Sequence, residues 1–418
     1  MSKGLHLGEE ITYRSQSLEK IEVSEILLIG ARAQKMRQEG QDVIILGAGE
    51  PDFDTPNHIK QAAYKALSTG HTKYTTLEGT RELRNAISSK LNRENGLHYS
   101  QTEIIVSCGA KHVIFNALAG TLNHGDEVII PAPYWSSYLD MVLINRGVPK
   151  IIPCPEELGF KLSASALKAA ITERTRWIML NSPSNPTGAA YSMSELEAIL
   201  EVLRQHPDIL IMSDEIYEHI VYDGYKHISP ARLAPDLRSR ILVVNGVSKA
   251  YAMTGFRIGW GAGPAELISA MAVVQSQTTS SASSVGQAAA LVALEGPQDE
   301  VSRRAKAFEE RRNYLLTAFS QIKGISCIAP LGAFYLFPNI KDFLGTKTPG
   351  GKTLSEDRNV TDYLLSAANV ALVPGTAFGM PGYMRLSYAA SLSSLTEAMQ
   401  RIAVAFEKLD LDRKVKAT

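Results

Sequence analysis

Along residues 104–274, short β-branched runs alternate with longer stretches of helical periodicity, and few folds accommodate that pattern. The runs lie at 104–106, 128–130, 177–180, 209–212 and 241–244, with helical stretches at 111–122, 193–204 and 267–274. Strands separated by whole helices pair in parallel, because each crossover carries the chain back to the starting edge of the sheet. The class expected is α/β, with a mostly parallel central sheet flanked by helices. From about residue 300 the pattern changes. A long charged helix at 301–322, holding Arg303, Arg304, Glu309, Glu310, Arg311 and Arg312, leads to short strands and a final helix near 395–409. Those charges read as a solvated helix face. At 418 residues the chain exceeds one typical domain of roughly 100–200. We therefore expect a large α/β domain over 57–300 and a smaller α+β domain built from 1–56 and 301–418.

Charge and composition narrow the function. Lys and Arg number 43 against 43 Asp and Glu, a formal charge of zero, which argues against a polyanion-binding surface. Nucleic acid is not expected as a partner, and too few residues precede Gly47 for a DNA-binding domain. No apolar run approaches the roughly 18 residues that a membrane helix needs, so no membrane partner is expected. Cys108, Cys154 and Cys327 form neither a paired framework nor a C-x-x-C ligand set, and the opening Met-Ser-Lys-Gly-Leu-His lacks the apolar core of a signal peptide. The expected location is the cytoplasm. Gly259-Trp-Gly-Ala-Gly-Pro264 imitates a dinucleotide fingerprint but puts Pro264 at its sixth position, and 345–353 imitates a Walker loop with one residue too many before Lys352. The first fails as a Rossmann site and the second reads as a mobile polar loop. The histidines show no H-x-x-x-H or mixed His/Cys cluster, so no metal is expected.

One segment carries distinctive chemistry: Gly246-Val-Ser248-Lys249-Ala-Tyr-Ala-Met-Thr-Gly-Phe-Arg257-Ile-Gly259, directly after the run at 241–244. A lysine at the carboxyl end of a strand, with an arginine eight positions on, can hold an aldehyde as a Schiff base and anchor that molecule's phosphate. Alone, it is also what a surface lysine looks like. The whole string resembles the lysine signature of the class I aminotransferases, pyridoxal-phosphate enzymes of fold type I. The nearest subgroup is that of the bacterial aspartate aminotransferases.

That resemblance extends from about Ser17 to the last helix and implies a role for each matching motif. Lys249 carries pyridoxal 5'-phosphate and then shuttles the substrate proton. Ser107-Cys-Gly109-Ala110-Lys111, where a helix N-terminus favours an anion, cups the phosphate with Ser248 and Arg257. Asn185, in Asn181-Ser-Pro-Ser-Asn185-Pro-Thr-Gly188, reaches the cofactor's phenolic oxygen and the substrate carboxylate. Asp214 faces the ring nitrogen and Tyr217 the phenolic oxygen, although an acid at a strand end is commonly just a helix cap. Trp135, otherwise a core residue, lies against the ring, and the Gly47-Ala-Gly49 loop approaches the substrate. Arg385, otherwise a strand-edge salt bridge, grips the α-carboxylate with its planar fork. Tyr74 serves the phosphate of a neighbouring subunit, which implies a homodimer with shared sites.

The implied function is a ping-pong transfer between an L-amino acid and a 2-oxo acid, most like aspartate with 2-oxoglutarate. The subgroup's Lys-Pro-Ser-x-Thr is replaced here by Glu22-Val-Ser-Glu-Ile26. An acid thus stands where the resemblance implies a base that receives the distal carboxylate. The expectation is weaker handling of aspartate and glutamate, with an uncharged, aromatic or basic amino acid as the alternative donor. A carbon–sulfur lyase on the same cofactor site is a further alternative.

Overall fold

The computed structural model describes residues 13–409, so the opening hexapeptide and the last nine residues lie outside it. A seven-stranded sheet forms its centre. Its strands are β1 (Ile104–Ser107), β2 (Glu127–Ala132), β3 (Val148–Pro153), β4 (Thr175–Asn181), β5 (Leu210–Asp214), β6 (Ile241–Gly246) and β7 (Gly259–Ala262). They lie in the order β1-β7-β6-β5-β4-β2-β3. The four pairings from β6 across to β3 are parallel, and only β7 runs antiparallel, to both β6 and β1. The α/β class with a mostly parallel, helix-flanked sheet is thus the observed one.

Alternation along the central strands feeds two apolar layers. Ile178, Leu180, Ile241 and Val243 join the core on one face, whereas Trp177, Met179, Leu242 and Val244 join the core on the other. Strands buried on both faces lose the polar-out pattern, which is why they read as continuous apolar runs. The strand β7 escapes that rule. Its glycines are poor strand formers, yet an added Cβ at Gly259 would stand 2.3 Å from the Ala110 nitrogen. The motif that imitated a nucleotide fingerprint is a strand pressed against the start of helix Ala110–Thr121.

A third apolar core gathers the later elements. Strands Tyr335–Leu336, Val373–Pro374 and Met384–Ser387 form an antiparallel sheet with Met384–Ser387 in the middle, while Ile44–Ile45 pairs in parallel with Val370–Ala371. Helices Asp299–Ser320, Asp357–Ala368 and Leu392–Glu407 pack around them.

The long helix corrects one expectation. Arg303 and Glu310 are exposed, but Arg304, Arg311 and Arg312 are buried on the same face as Phe308, Leu315 and Phe319. Arg311 binds both oxygens of Asp52, at 2.7 and 3.0 Å, and lies 4.8 Å from the Phe53 ring centre. Arg312 binds both oxygens of Asp223, at 2.6 and 2.8 Å, and also donates to the Pro330 carbonyl at 2.9 Å. The planar fork suits paired carboxylates, so these charges fasten loops to the core instead of facing water. Because Asp223 is half exposed and can rehydrate, Arg312→Met is expected to cost about 1–3 kcal/mol, the value of a charged hydrogen-bond set and one orphaned carbonyl. A lowered urea midpoint with unchanged slope would show it; an unchanged midpoint would return Arg312 to the solvated face.

Candidate active site

Parallel pairing sets Asn181, the last residue of β4, opposite Asp214, the last of β5, and the adjacent β6 leads directly into the Lys249 loop. The carboxyl ends of these strands therefore open onto one place, where α/β sheets bind ligands. A cavity of about 680 Å³ lies there, walled on the other side by Tyr335, Arg385 and the helix Glu25–Gln38.

Most of the residues singled out in the sequence meet in it. Lys249, Ser248, Arg257, Asp214 and Tyr217 line the cavity from the sheet side. Ala110, Lys111, Trp135, Asn185, Gly49 and Arg385 complete the set. Gly109 sits directly behind, at φ +86°, where an added Cβ would stand 2.5 Å from Arg257 Nη2. Tyr74 is apart: it is exposed and does not line this cavity.

Burial and charge set the chemistry. Lys249 Nζ donates to the Gly49 carbonyl at 2.6 Å. Burial lowers its pKa from the ordinary 10.5 to about 8, Arg257 and Arg385 adding to the effect and Glu50 opposing it. A neutral amine is a nucleophile and a base, so this lysine is poised for either near neutral pH. Asp214 accepts from Tyr138 Oη at 2.5 Å and from the Ile216 N–H at 3.3 Å. Burial nevertheless raises it from 3.8 to about 6. Arg385 donates to Asn185 Oδ1 at 2.8 Å and to the Gly47 carbonyl at 2.6 Å. Its Nε is buried without a hydrogen-bond partner, a donor held out of water and unused by the protein. Lys111 Nζ stands 4.8 Å from the centre of the Trp135 ring.

Several participants escaped the sequence reading. Tyr138, one helical turn beyond Trp135, holds Asp214; Tyr335 Oη meets Tyr217 Oη at 2.8 Å, and the Tyr335 ring lies 4.6 Å from the Arg385 guanidinium. Below the lysine loop, Asn245 Nδ2 donates to Glu218 Oε1 at 2.5 Å, and fully buried Lys90 pairs with the same carboxylate. Nothing in their spacing announces these contacts, which join distant segments. The spacing at Glu22 and Ile26 also resolves unevenly. Ile26 lines the cavity, whereas Glu22 is exposed, pairs with Arg14 at 3.1 Å and is absent from the lining. The expectation of an acid set against a distal carboxylate is thereby corrected, while the apolar replacement at Ile26 stands.

The profile of aminotransferase class I and II matches residues 41–402, a span that includes every residue lining the cavity apart from those of the first helix. The chain belongs to that family. As an aminotransferase it is an enzyme that moves an amino group between an amino acid and a 2-oxo acid. It is 55% identical over 392 residues to an aspartate aminotransferase of Rhizobium meliloti strain 1021, covering 94% of this chain and 96% of that one. It is 51% identical to a probable aspartate/prephenate aminotransferase of Rickettsia bellii, over 93% of this chain and 97% of that one. The crystal structure of the aspartate aminotransferase from Rhizobium meliloti superposes with a TM-score of 0.93 at 54% identity, covering 96% of this chain and all of that one.

The raised Asp214 pKa has a consequence for stability. A carboxyl whose folded pKa exceeds its unfolded value contributes fully below pH 3.8, and that contribution is lost as pH rises through about 6. In ligand-free aminotransferase, Asp214→Asn should therefore be more stable than the native chain at pH 7, by an upper figure of about 3 kcal/mol. The difference should shrink towards zero as pH falls from 6 to 4. Urea denaturation across that range measures it, and a difference independent of pH would contradict a carboxyl whose burial outweighs its hydrogen bonds.

Proposed function

We propose that the aminotransferase binds pyridoxal 5'-phosphate at Lys249 and transfers the amino group of a dicarboxylic L-amino acid, aspartate foremost, to 2-oxoglutarate. The fit of the cofactor rests on the cavity itself. Gly109 leaves an open cradle beneath Arg257, and the first N–H groups of a helix have no partner within it, so the Ala110 and Lys111 amides with Arg257 and Ser248 form a phosphate site. Asp214 is the one fully buried anion in the lining, and a protonated ring nitrogen opposite it would compensate its charge.

When bound, the cofactor supplies an electrophilic carbonyl carbon and a protonated ring that withdraws electrons from the substrate's α-carbon bonds. The protein does the rest. Lys249 Nζ, neutral above about pH 8, would be the amine that holds the cofactor, and as a free amine it would take the proton from the substrate Cα and return it as an acid. Asp214 keeps the ring nitrogen protonated, with Tyr138 fixing the carboxylate's direction. Tyr217, held by Tyr335, orients the phenolic oxygen. Arg385 would grip the α-carboxylate with its guanidinium, held in place beside Asn185.

One observation carries the dicarboxylate reading. With Arg257 on the phosphate, Lys249 on the carbonyl carbon and Arg385 on the α-carboxylate, the lining retains one more cation, Lys111 over the Trp135 ring. Asp140 acts on it electrostatically, and a substrate's second carboxylate would give it a direct ion pair. The relatives named for aspartate support the same choice. We further propose a homodimer in which exposed Tyr74 serves the neighbour's phosphate. We also assign 57–300 as the cofactor-binding domain, with 1–56 and 301–418 as the smaller one.

Three measurements test this. Borohydride reduction of the yellow enzyme should fix the cofactor to the peptide containing Lys249, and label on another lysine would reject the site. Lys111→Gln should lower kcat/KM for aspartate relative to a neutral donor such as alanine by roughly ten- to hundredfold, the worth of a charge-assisted contact. An unchanged ratio would remove Lys111 from the distal carboxylate. Co-expressed Tyr74→Ala and Lys249→Ala chains should recover part of the activity that each lacks, since one mixed site is intact; an inactive, demonstrated heterodimer would argue for self-contained sites.

A further inference from the structure

The helix Arg81–Lys90 runs without a break into a single π-helical turn, Leu91–Asn95. Such turns are rare and are frequently found at functional sites. This one brings Lys90, Glu94 and Asn95 together against Glu218, the residue that follows Tyr217. Lys90 is fully buried and Glu218 nearly so. Lys90 Nζ pairs with Glu218 Oε1 and donates to Asn95 Oδ1 at 2.9 Å, while Glu94 Oε2 lies 3.4 Å away. Asn95 Nδ2 donates to Glu218 Oε2 at 2.7 Å, and Asn245 Nδ2 to Glu218 Oε1 at 2.5 Å.

Stability is a poor reason for this arrangement. Two charges taken out of water lose hydration that their attraction seldom repays, and an apolar pair of similar volume is often as stable or more so. What an apolar pair cannot supply is direction. Each oxygen of Glu218 is claimed by a different set of donors, so the carboxylate is held in one orientation, and the Asn245 amide with it. A polar network with every member satisfied specifies a single arrangement of the groups it joins.

That direction is delivered to the lysine loop. Asn245 stands next to the end of β6, and its Oδ1 accepts from the Gly246 N–H at 2.7 Å, where the chain leaves the strand. Gly246 itself has no play, since an added Cβ would stand 2.9 Å from the Ile258 carbonyl oxygen and 3.0 Å from Gly259 Cα. Lys249 follows shortly after and lines the cavity, whereas Lys90, Glu218 and Asn245 do not. Glu218 also adjoins Tyr217, whose hydroxyl meets that of Tyr335 in the cavity wall. One carboxylate thus ties together the two segments that carry Lys249 and Tyr217, from beneath the site.

We propose that Lys90 and Glu218 are positioning residues for the transfer: through the Asn245 amide they set the aim of the Lys249 amine. The inference rests on the reading above, in which Lys249 holds the cofactor and moves the substrate proton. Arg385, Asn185 and Lys111, which that reading assigns to the substrate carboxylates, lie on other segments. Disturbing the network should therefore slow turnover and leave substrate binding alone.

Three variants of the holoenzyme separate direction from stability, with kcat expressed per bound cofactor. Lys90→Met combined with Glu218→Leu removes both charges and the acceptor for Asn245. Its kcat for aspartate should fall roughly ten- to hundredfold, while Kd for maleate, a non-reacting dicarboxylate, changes by less than about twofold. Glu218→Gln keeps an oxygen toward Asn245 but deprives Lys90 of its charge partner. It should have the lower urea midpoint of the two and yet a kcat higher by about fivefold or more. Asn245→Ala leaves the ion pair whole and should reproduce the loss of kcat, so the test stands even where the double variant does not fold. A kcat that follows the urea midpoint across the variants overturns the inference, as does one within about twofold of native in Asn245→Ala. Borohydride labelling of the native enzyme keeps the two readings apart. Label on a lysine other than Lys249 overturns the cofactor reading and this inference with it, whereas label on Lys249 with unslowed variants overturns this inference alone.

Discussion

The parallel register of β4, β5 and β6 is the constraint on which the site depends. Because Asn181 and Asp214 are aligned partners and Val244 is aligned with Asp214, all three chains leave the sheet on the same edge. A side chain at each exit then reaches the same volume without any long loop to hold it. The Asn181 side chain reinforces the register, donating to the Asp214 carbonyl at 3.0 Å and accepting from the Asn185 N–H at 2.9 Å. Thus the turn that carries Asn185 is tied to the neighbouring strand and not to its own flexible ends. Rigid elements place reacting groups to within the small tolerances that catalysis requires.

Within that frame, desolvation acts on two groups in opposite senses. The same removal of water that lowers Lys249 raises Asp214, so both groups are moved toward their neutral forms before any ligand arrives. A ligand that brings an anionic end, a cationic ring nitrogen and a carbonyl restores each charge to a partner. The site is therefore costly when empty and compensated when filled, which is the condition for tight, oriented binding. Stability of the surrounding shell comes from elsewhere. Glu218, buried, is held well below the usual carboxylate range by Lys90 and by donors including Asn95, although burial acts the other way. That satisfied network anchors Asn245 at the base of the lysine loop.

How much of this was legible depends on whether the signal is local. The central strands are apolar on both faces and the helices between them have a clear period, so the α/β class and most of its elements follow from the chain itself. The motifs around Lys249, Asp214, Asn185 and Arg385 were equally legible, because each is a short string at a strand or turn. Long-range pairings were not. Arg311 with Asp52, Tyr335 with Tyr217 and Lys90 with Glu218 join residues more than a hundred positions apart. Arg304, Arg311 and Arg312 misled for a definite reason: the carboxylates that grip Arg311 and Arg312 and the Asp54 carbonyl that Arg304 meets come from other segments, so a core face looked like a solvated one. Glu22 misled because position in a string does not give direction; its carboxylate points to Arg14 and only Ile26 faces the cavity.

The walls of the cavity are also held with unequal firmness, and the inequality follows from their contacts. Arg385 lies on the central strand of its sheet, fully buried, with two hydrogen bonds and two aromatic rings around it. The opposing helix Glu25–Gln38 has one fully buried side chain and two partly exposed ion pairs, Arg32 with Asp362 and Glu25 with Arg358. Such pairs contribute roughly 0–1 kcal/mol each, and with the apolar docking of Ala33, Ile29 and Met36 they hold this helix less firmly than the fully buried arginine strand is held. The wall of the cavity formed by the arginine strand is therefore the more firmly held, and the wall formed by the first helix the more adaptable. An enzyme whose two half-reactions present different side chains to one reacting centre needs that division of stiffness.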